Sequence, residues 1–328
     1  MISKESYKVG ALLYAPALKP NVARYIINNS GNRYSMAFCL EDTVSDDAVE
    51  AAEKQLKNTL LEIRDAKRYG ACFFLPQIFV RVRKADQITH LCKYLGDSMD
   101  IVSGFILPKF NKDNGEEYVK NMKQVNEQSP HVIYAMPILE SEDLIDPATR
   151  MCNLMLIRDY IDEMEDYVLN IRVGGNDFSN QFSVRRKVDQ TIYDILPIAG
   201  IFSDILAMFS RNYIVSGPVW EYFSDDDEKW ETGLEEELKK DLISGFVGKT
   251  VIHPKQIEVV NRALRVQEED FKDAVQIMGW EDENRNGYNV SKSADGHRMN
   301  EVRTHRRWAE KVLTLAEIYG TLSITHRL

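Results

Sequence analysis

Lys249-Thr-Val-Ile-His-Pro254 is a short β-type run, the last of eight in this chain. Working back towards the N-terminus, the others are Tyr213–Val219, Tyr167–Val173, Val132–Glu140, Val102–Lys109, Phe73–Val82, Tyr34–Asp42 and Val9–Pro16. Each is a run of mostly apolar residues, the pattern of a strand buried in a parallel sheet. Their starts fall about 25 to 45 residues apart, room for one strand and one returning helix. Segments of helical composition fill gaps between them, among them Ala48–Ala66, Glu116–Gln128, Met151–Glu165 and Leu234–Ser244. Eight such units predict an α/β chain closed into a (β/α)8 TIM barrel rather than an open doubly wound sheet. No Gly-x-Gly-x-x-Gly follows the first run and no Gly-x-x-x-x-Gly-Lys-[Ser/Thr] occurs, so a dinucleotide fold has no fingerprint here.

Past the eighth run the pattern changes. Gln256–Val275 reads as one further helix, Trp280–Asp295 as a polar loop, and Glu301–Tyr319 as a final helix with Trp308, Val312, Leu313 and Ile318 among its apolar positions. The expected organisation is a barrel over residues 1–275 carrying the active site. Residues 276–328 would form a C-terminal loop and helix extension, too short to hold a core alone, that can pack on a neighbouring subunit. The acidic run Ser224–Glu228 reads as a solvated loop or helix start.

The 328 residues carry 41 Lys+Arg against 51 Asp+Glu, a formal charge of −10, which argues against a nucleic-acid or anionic-membrane partner. No stretch is apolar enough to span a bilayer, and the first thirty residues lack the basic and apolar regions of a secretion signal. Cys39, Cys72, Cys92 and Cys152 are scattered without CxxC spacing. Cys39 and Cys72, within apolar runs, read as small buried hydrophobes. A cytoplasmic location is expected.

Active sites of such barrels collect at the C-terminal ends of the strands. The polar residues closing the runs are Glu41 and Asp42, Arg81 and Arg83, Lys109, Glu140, Asn176 and Asp177, and His253. One charged strand end means only a solvated loop; several on one rim converge on a common space. Glu140 and Asp177, on adjacent strands, could give oxygen ligands to one hard cation such as Mg²⁺. Arg81 would supply a fork for a carboxylate.

Seven short strings resemble, in order, the citrate lyase β-subunit-like group of the HpcH/HpaI aldolase superfamily. They are Leu12-Leu-Tyr-Ala-Pro16, Leu40-Glu-Asp-Thr-Val44, Phe79-Val-Arg-Val82, Leu107-Pro-Lys109, Leu139-Glu140, Gly174-Gly-Asn-Asp-Phe178 and Gly245-Phe-Val-Gly-Lys-Thr-Val-Ile-His-Pro-Lys-Gln-Ile257. The last is the most specific.

The resemblance implies that Glu140 and Asp177 bind Mg²⁺, with Mn²⁺ as the alternative, and that Arg81 binds the substrate carboxylate. Glu41 and Asp42 would orient Arg81 or metal-bound water. Lys109, Asn176 and His253 join the substrate side, and Gly174 and Gly175 let backbone approach the ligand closely. Gly248 and Lys249 shape the loop into the last strand. The chain also departs from the pattern. Cys39 stands where many relatives carry Asp, and Arg83 adds a cation where Asn is common; strand alternation puts it on the face of Arg81, suiting a more anionic substrate. Asp295-Gly296 through Met299 resembles a tail motif whose last Asp reaches a neighbouring subunit's site, here falling on Asn300 or Glu301.

The expected activity is therefore that of a Mg²⁺-dependent carbon–carbon bond lyase or aldolase. It would act on a hydroxy-carboxylic acid or its CoA thioester, giving a 2-oxo acid and an enolate-derived product. Arg81, Glu41, Asp42 and Glu301 are the candidate catalytic residues, in a homo-oligomer, trimer or hexamer. An acyl-CoA thioester hydrolase on the same fold, or a barrel that binds a metabolite without turnover, are the alternatives.

Overall fold

A computed structural model describes residues 2–29, 31, 33–224, 229–280 and 289–322. Contacts divide the chain into two compact units, one ending at Val260 and the other starting at Asn261.

In the first unit all eight runs form strands, every pairing parallel. They are β1 (Ala11–Pro16), β2 (Ser35–Cys39), β3 (Gln77–Arg81), β4 (Gly104–Leu107), β5 (Tyr134–Leu139), β6 (Ile171–Val173), β7 (Val215–Ser216) and β8 (Lys249–Val251). Their order, β7-β6-β5-β4-β3-β2-β1-β8, places each beside its neighbour in sequence and brings the last round to the first. The ring closes between β7 and β8 through a bridge from Gly217 to Lys249 and the bonds Gly217 N–H to Gly248 O (3.0 Å) and Val247 N–H to Val215 O (2.8 Å). Gly248 makes that approach with φ +77, and a Cβ there would collide with the Gly10 carbonyl.

The expected helices are present with shifted ends, as Val49–Arg68, Gly115–Gln128, Pro147–Asp162 and Lys229–Ser244. Val49–Arg68 buries Ala52, Leu56, Leu60 and Ile63, which recur three and four residues apart and so lie on one face. Pro147–Asp162 begins where the Asp146 carboxylate accepts the Ala148 N–H (2.9 Å), with Pro147 at its first turn.

Inside the barrel, Val9, Leu12, Ala37, Phe79, Ile106, Met136, Ile138 and Leu169 form a buried apolar cluster. Two residues further along four of these strands stand Tyr14, Cys39, Arg81 and Glu140. Strand alternation returns them to the same interior face, one step nearer the C-terminal rim. The apolar floor thus becomes a polar ceiling within one pleat. Arg172 is paired in register with Ile138.

On the outside of β7 and β8, Lys249 is wholly buried, its Nζ 2.9 Å from Glu237 Oε1 and 2.7 Å from Asp241 Oδ2. Arg186 lies 3.5 Å from the other Glu237 oxygen, and the Tyr193 hydroxyl donates to Asp241 (2.5 Å). Lys249 thus holds a helix to the barrel wall. Lys249→Met would strand two buried carboxylates, and the chain should lose about 3–5 kcal/mol in urea unfolding. A loss under about 1 kcal/mol would show that the pair reorganises at no cost.

The expected single helix over Gln256–Val275 is instead two, Lys255–Leu264 and Glu268–Met278, and the second unit begins within the first of them. Val266–Gln267 breaks it by pairing in parallel with Thr321–Leu322, a long-range bond that local periodicity does not report. The Glu268–Met278 helix packs on the final helix, Val302–Tyr319, whose Ala309, Val312, Leu315 and Ile318 are buried. For that reason the compact unit begins at Asn261 rather than after residue 275. Part of the expected Trp280–Asp295 loop forms a hairpin instead, Val290–Lys292 against Met299–Glu301, turning through Asp295-Gly296; residues 281–288 lie outside the described residues. So does all but Ser224 of the acidic run Ser224–Glu228. Cys72 is exposed, not buried, because β3 starts only at Gln77 and the residues before it are loop.

Candidate active site

Arg81, the last residue of β3, organises the rim. Its Nη2 lies 3.2 Å from Glu41 Oε2 and 3.2 Å from Asp42 Oδ2, on the loop leaving β2. Its Nε and Nη2 also point at the Cys39 sulfur, at 3.3 and 3.1 Å. The guanidinium carbon sits 5.4 Å from the centroid of the Tyr14 ring, a cation–π contact. Burial alone would lower the Arg81 pKa, but Tyr14, Cys39 and Glu41 hold it above its usual value. Its Nη1 has no hydrogen bond among the described residues, so one edge of the fork stays free.

Lys109 closes the acidic side. Its Nζ pairs with Glu41 and lies 3.2 Å from Asp42. Its backbone has φ +49, a left-handed conformation that costs a non-glycine residue about 1–2 kcal/mol. Two bonds hold it there: its N–H donates to Glu140 Oε1 (3.0 Å) and its carbonyl accepts from Asn114 Nδ2 (2.9 Å). Burial raises the Glu41 carboxyl. In Asp42 burial acts the same way, but a hydrogen bond from Glu41 and the charges of Arg81 and Lys109 outweigh it and bring the pKa below its usual range.

Glu140 directly follows β5 and is buried. Burial first, then the negative charge of Asp177, push its carboxyl from 4.5 to about 8. Asp177 is half-buried in the first turn of the Gly175–Gln181 helix after β6. Gly174, between strand and helix, leaves the space: a Cβ there would overlap the Glu140 carboxylate. A buried carboxylate whose proton affinity is raised by burial and by the charge of Asp177, with glycine keeping room beside it, fits a hard divalent cation, which would relieve the repulsion and keep waters in its other positions. Among the described residues no group of three or more His, Cys, Asp or Glu side chains is placed to hold a metal.

The structure thus gathers Glu41, Asp42, Arg81, Lys109, Glu140, Gly174 and Asp177. Asn176 is exposed beside them, and Gly175 packs towards Pro218. Arg83 is placed otherwise than strand alternation suggests. β3 ends at Arg81, and the Arg83 Nη1 donates to the carbonyls of Leu40 (3.0 Å), Glu41 (3.3 Å) and Val44 (2.8 Å) while Nη2 pairs with Asp46. Arg83 shapes the loop carrying Glu41 and Asp42, which leaves its fork engaged. His253, two residues past β8, stacks on Phe223 (centroids 4.8 Å apart) and accepts the Lys255 N–H at Nδ1. Burial, then Lys255 and Lys19, lower its pKa, so it is neutral at pH 7. Glu301 belongs to the second unit, where it precedes the final helix and its N–H donates to His305 Nδ1 (3.0 Å). Sequence reasoning missed Tyr14 and Arg172, and read Cys39 as a small buried hydrophobe; it is buried, and its sulfur also accepts from Arg81. The signal available was the inward phase shared with Leu12 and Ala37.

A closed eight-stranded parallel barrel with charged residues gathered on its C-terminal rim is the architecture of a TIM-barrel enzyme. The family model for C–C bond lyases of the TIM-barrel fold matches residues 3–321, and the chain belongs to that family. The (3S)-malyl-CoA thioesterase of Cereibacter sphaeroides is 22% identical over 291 residues, covering 88% of this chain and 89% of that protein. Among solved structures, a citrate lyase from Burkholderia xenovorans superposes with a TM-score of 0.68 at 14% identity, over 97% of this chain and 94% of the other. The protein CitE of Mycobacterium tuberculosis, in complex with magnesium, acetoacetate and coenzyme A, gives 0.60 at 18% identity, over 95% and 99%. No helix among the described residues is long and apolar enough to cross a membrane.

Proposed function

We propose that this carbon–carbon lyase cleaves, or in reverse forms, the bond next to a hydroxyl in a hydroxy-carboxylic acid or its CoA thioester, with Mg²⁺ held by Glu140 and Asp177. The observation that carries the reading is the pair itself: a carboxylate that burial, and then the charge of Asp177, push to about 8, with Gly174 keeping room beside it. The magnesium in the Mycobacterium tuberculosis neighbour supports it. When bound, the ion supplies positive charge that stabilises oxyanions of the substrate.

The chain's own residues do the rest. Arg81 takes the substrate carboxylate with its free edge, while Cys39, Glu41 and Asp42 fix the plane of the guanidinium. Lys109 holds Glu41 with its side chain and Glu140 with its backbone, so the acidic pair and the metal carboxylates keep a fixed spacing. Loss of the hydroxyl proton then breaks the C–C bond, leaving a 2-oxo acid and an enolate that must be protonated. Asn176 and His253 stand on the rim for the rest of the substrate.

The test is turnover of a panel of hydroxy acids and their CoA thioesters, with Mg²⁺ or with chelator. Cleavage that needs Mg²⁺ and drops to background in Asp177→Ala is the expected result. Metal-independent cleavage, or an Asp177→Ala chain as active as the parent, overturns the reading. The Cereibacter relative supports a second reading, thioester hydrolysis, recognised by free thiol released without C–C cleavage.

Assembly completes the proposal. The active form would be a homo-oligomer in which Met299–Glu301 of one copy approaches the barrel mouth of another, Glu301 standing in the place of the tail motif's last Asp. Truncation after Val275 should give monomers that bind Mg²⁺ and lose turnover; a full-length chain that sediments as a fully active monomer overturns it.

A further inference from the structure

Arg172 is a cation without a counter-charge. It is 1% exposed, and no carboxylate among the described residues lies within ion-pairing distance of it. Its Nη2 donates to Thr250 Oγ1 (2.7 Å) and its Nη1 reaches Asn170 Oδ1 (3.4 Å), both neutral acceptors. Its Nε has no hydrogen-bond partner among the described residues. A buried guanidinium left so is costly unless negative charge appears beside it during function. The one ionisable hydroxyl that interacts with it is that of Tyr14.

Tyr14 projects from β1 between two cations, Arg81 against its ring and Arg172 towards its hydroxyl. Cys39 and Glu140 are the other ionisable groups that face it. It is only half-buried, so it reaches from the closed interior to the open rim. The lyase reaction needs an acid for the enolate carbon, and the residues around Arg81 and Glu140 are already occupied with carboxylate and cation.

We propose that Tyr14 is that acid, a catalytic residue, and that Arg172 is the positioning residue that stabilises the phenolate left behind. This rests on the lyase reading above. In the step, the Tyr14 O–H bond breaks and its electron pair stays on the phenolic oxygen. The carbon–carbon π pair of the enolate forms the new C–H bond, and the enolate oxygen becomes a carbonyl. The phenolate, flanked by two guanidinium groups, regains a proton from water. The hydroxide so formed is neutralised by the proton that left the substrate hydroxyl at cleavage. Burial sets the resting phenol at about 12, so Tyr14 holds its proton at neutral pH until an enolate, a strong base, arrives beside it.

Pyruvate and acetyl-CoA are suitable probes, because each forms such an enolate and exchanges its methyl protons through it. With Mg²⁺ in D2O, the full-length chain should exchange at least one of them, followed by proton NMR. Tyr14→Phe, which keeps the ring under Arg81, should exchange roughly 10²–10⁴-fold more slowly, with Mg²⁺ affinity by calorimetry unchanged. Arg172→Met should lower kcat while KM stays within about threefold, and Arg172→Lys should recover part of the loss. Exchange in Tyr14→Phe within about threefold of the parent overturns the role of Tyr14. An Arg172→Met chain that changes KM alone overturns that of Arg172. A parent chain that exchanges neither probe overturns the enolate chemistry itself, and both roles with it.

Discussion

Glu140→Gln should bind Mg²⁺ roughly a hundredfold more weakly, yet unfold at a higher temperature than the parent in metal-free buffer at pH 9. The sign follows from the direction of the shift. A carboxyl raised in the fold from 4.5 to about 8 binds its proton more tightly there than in the unfolded chain. The fold therefore loses stability as pH rises above about 4.5, progressively up to about 8, and the penalty stays constant beyond. With Glu140 almost wholly buried it amounts to several kcal/mol. A neutral amide keeps the shape and can still accept the Lys109 N–H, but carries no charge for Asp177 to repel. Thermal unfolding of both chains at pH 5 and pH 9, with and without Mg²⁺, checks this. The difference should be small at pH 5, large at pH 9, and diminished by Mg²⁺ in the parent alone. A variant less stable than the parent at pH 9 would mean that the Glu140 charge is compensated within the protein.

Arg81→Lys should lower kcat/KM at least about a hundredfold while Mg²⁺ affinity holds within about twofold. The geometry gives the reason. Nε and Nη2 are engaged by Cys39, Glu41 and Asp42, and a separate nitrogen, Nη1, is left for the substrate. A lysine ammonium has one nitrogen for both tasks. Drawn to Glu41 and Asp42 it abandons the substrate, and drawn to the substrate it leaves the buried Glu41 and the exposed Asp42 without that cation. Steady-state kinetics on the substrate found in the panel, beside circular dichroism of the variant, gives the measurement. Parent-like turnover would reduce Arg81 to an ion-pair partner.

The barrel was legible because a strand buried on both faces writes itself as a continuous apolar run, and eight such runs at helix-plus-strand spacing leave few other folds. The rim residues Glu41, Arg81, Lys109, Glu140 and Asp177 were legible for a related reason: a charge that closes an apolar run stands out against it. Tyr14 and Arg172 were not, because each lies within its run, where an aromatic or long-stemmed residue passes for packing. Arg83 was misplaced by carrying the two-residue alternation past the last ladder bond of β3. The helix break at Val266 depends on a partner more than fifty residues away, so no window of local sequence contains it.

The closure between β7 and β8 gives the barrel an uneven stiffness. β1, β2 and β3 are knit by five-residue registers, whereas β7 spans two residues and meets β8 at a single bridge. A hoop breathes where it is most thinly sewn. Slow opening, the kind that exchanges backbone amides with solvent, is therefore concentrated around Gly217 and Val247. The wall that carries Glu41, Arg81 and Glu140 stays shut through such fluctuations. The arc from β1 to β3 that carries Glu41 and Arg81 is thus the stiff side of the ring, and the seam between β7 and β8 is the side that gives first.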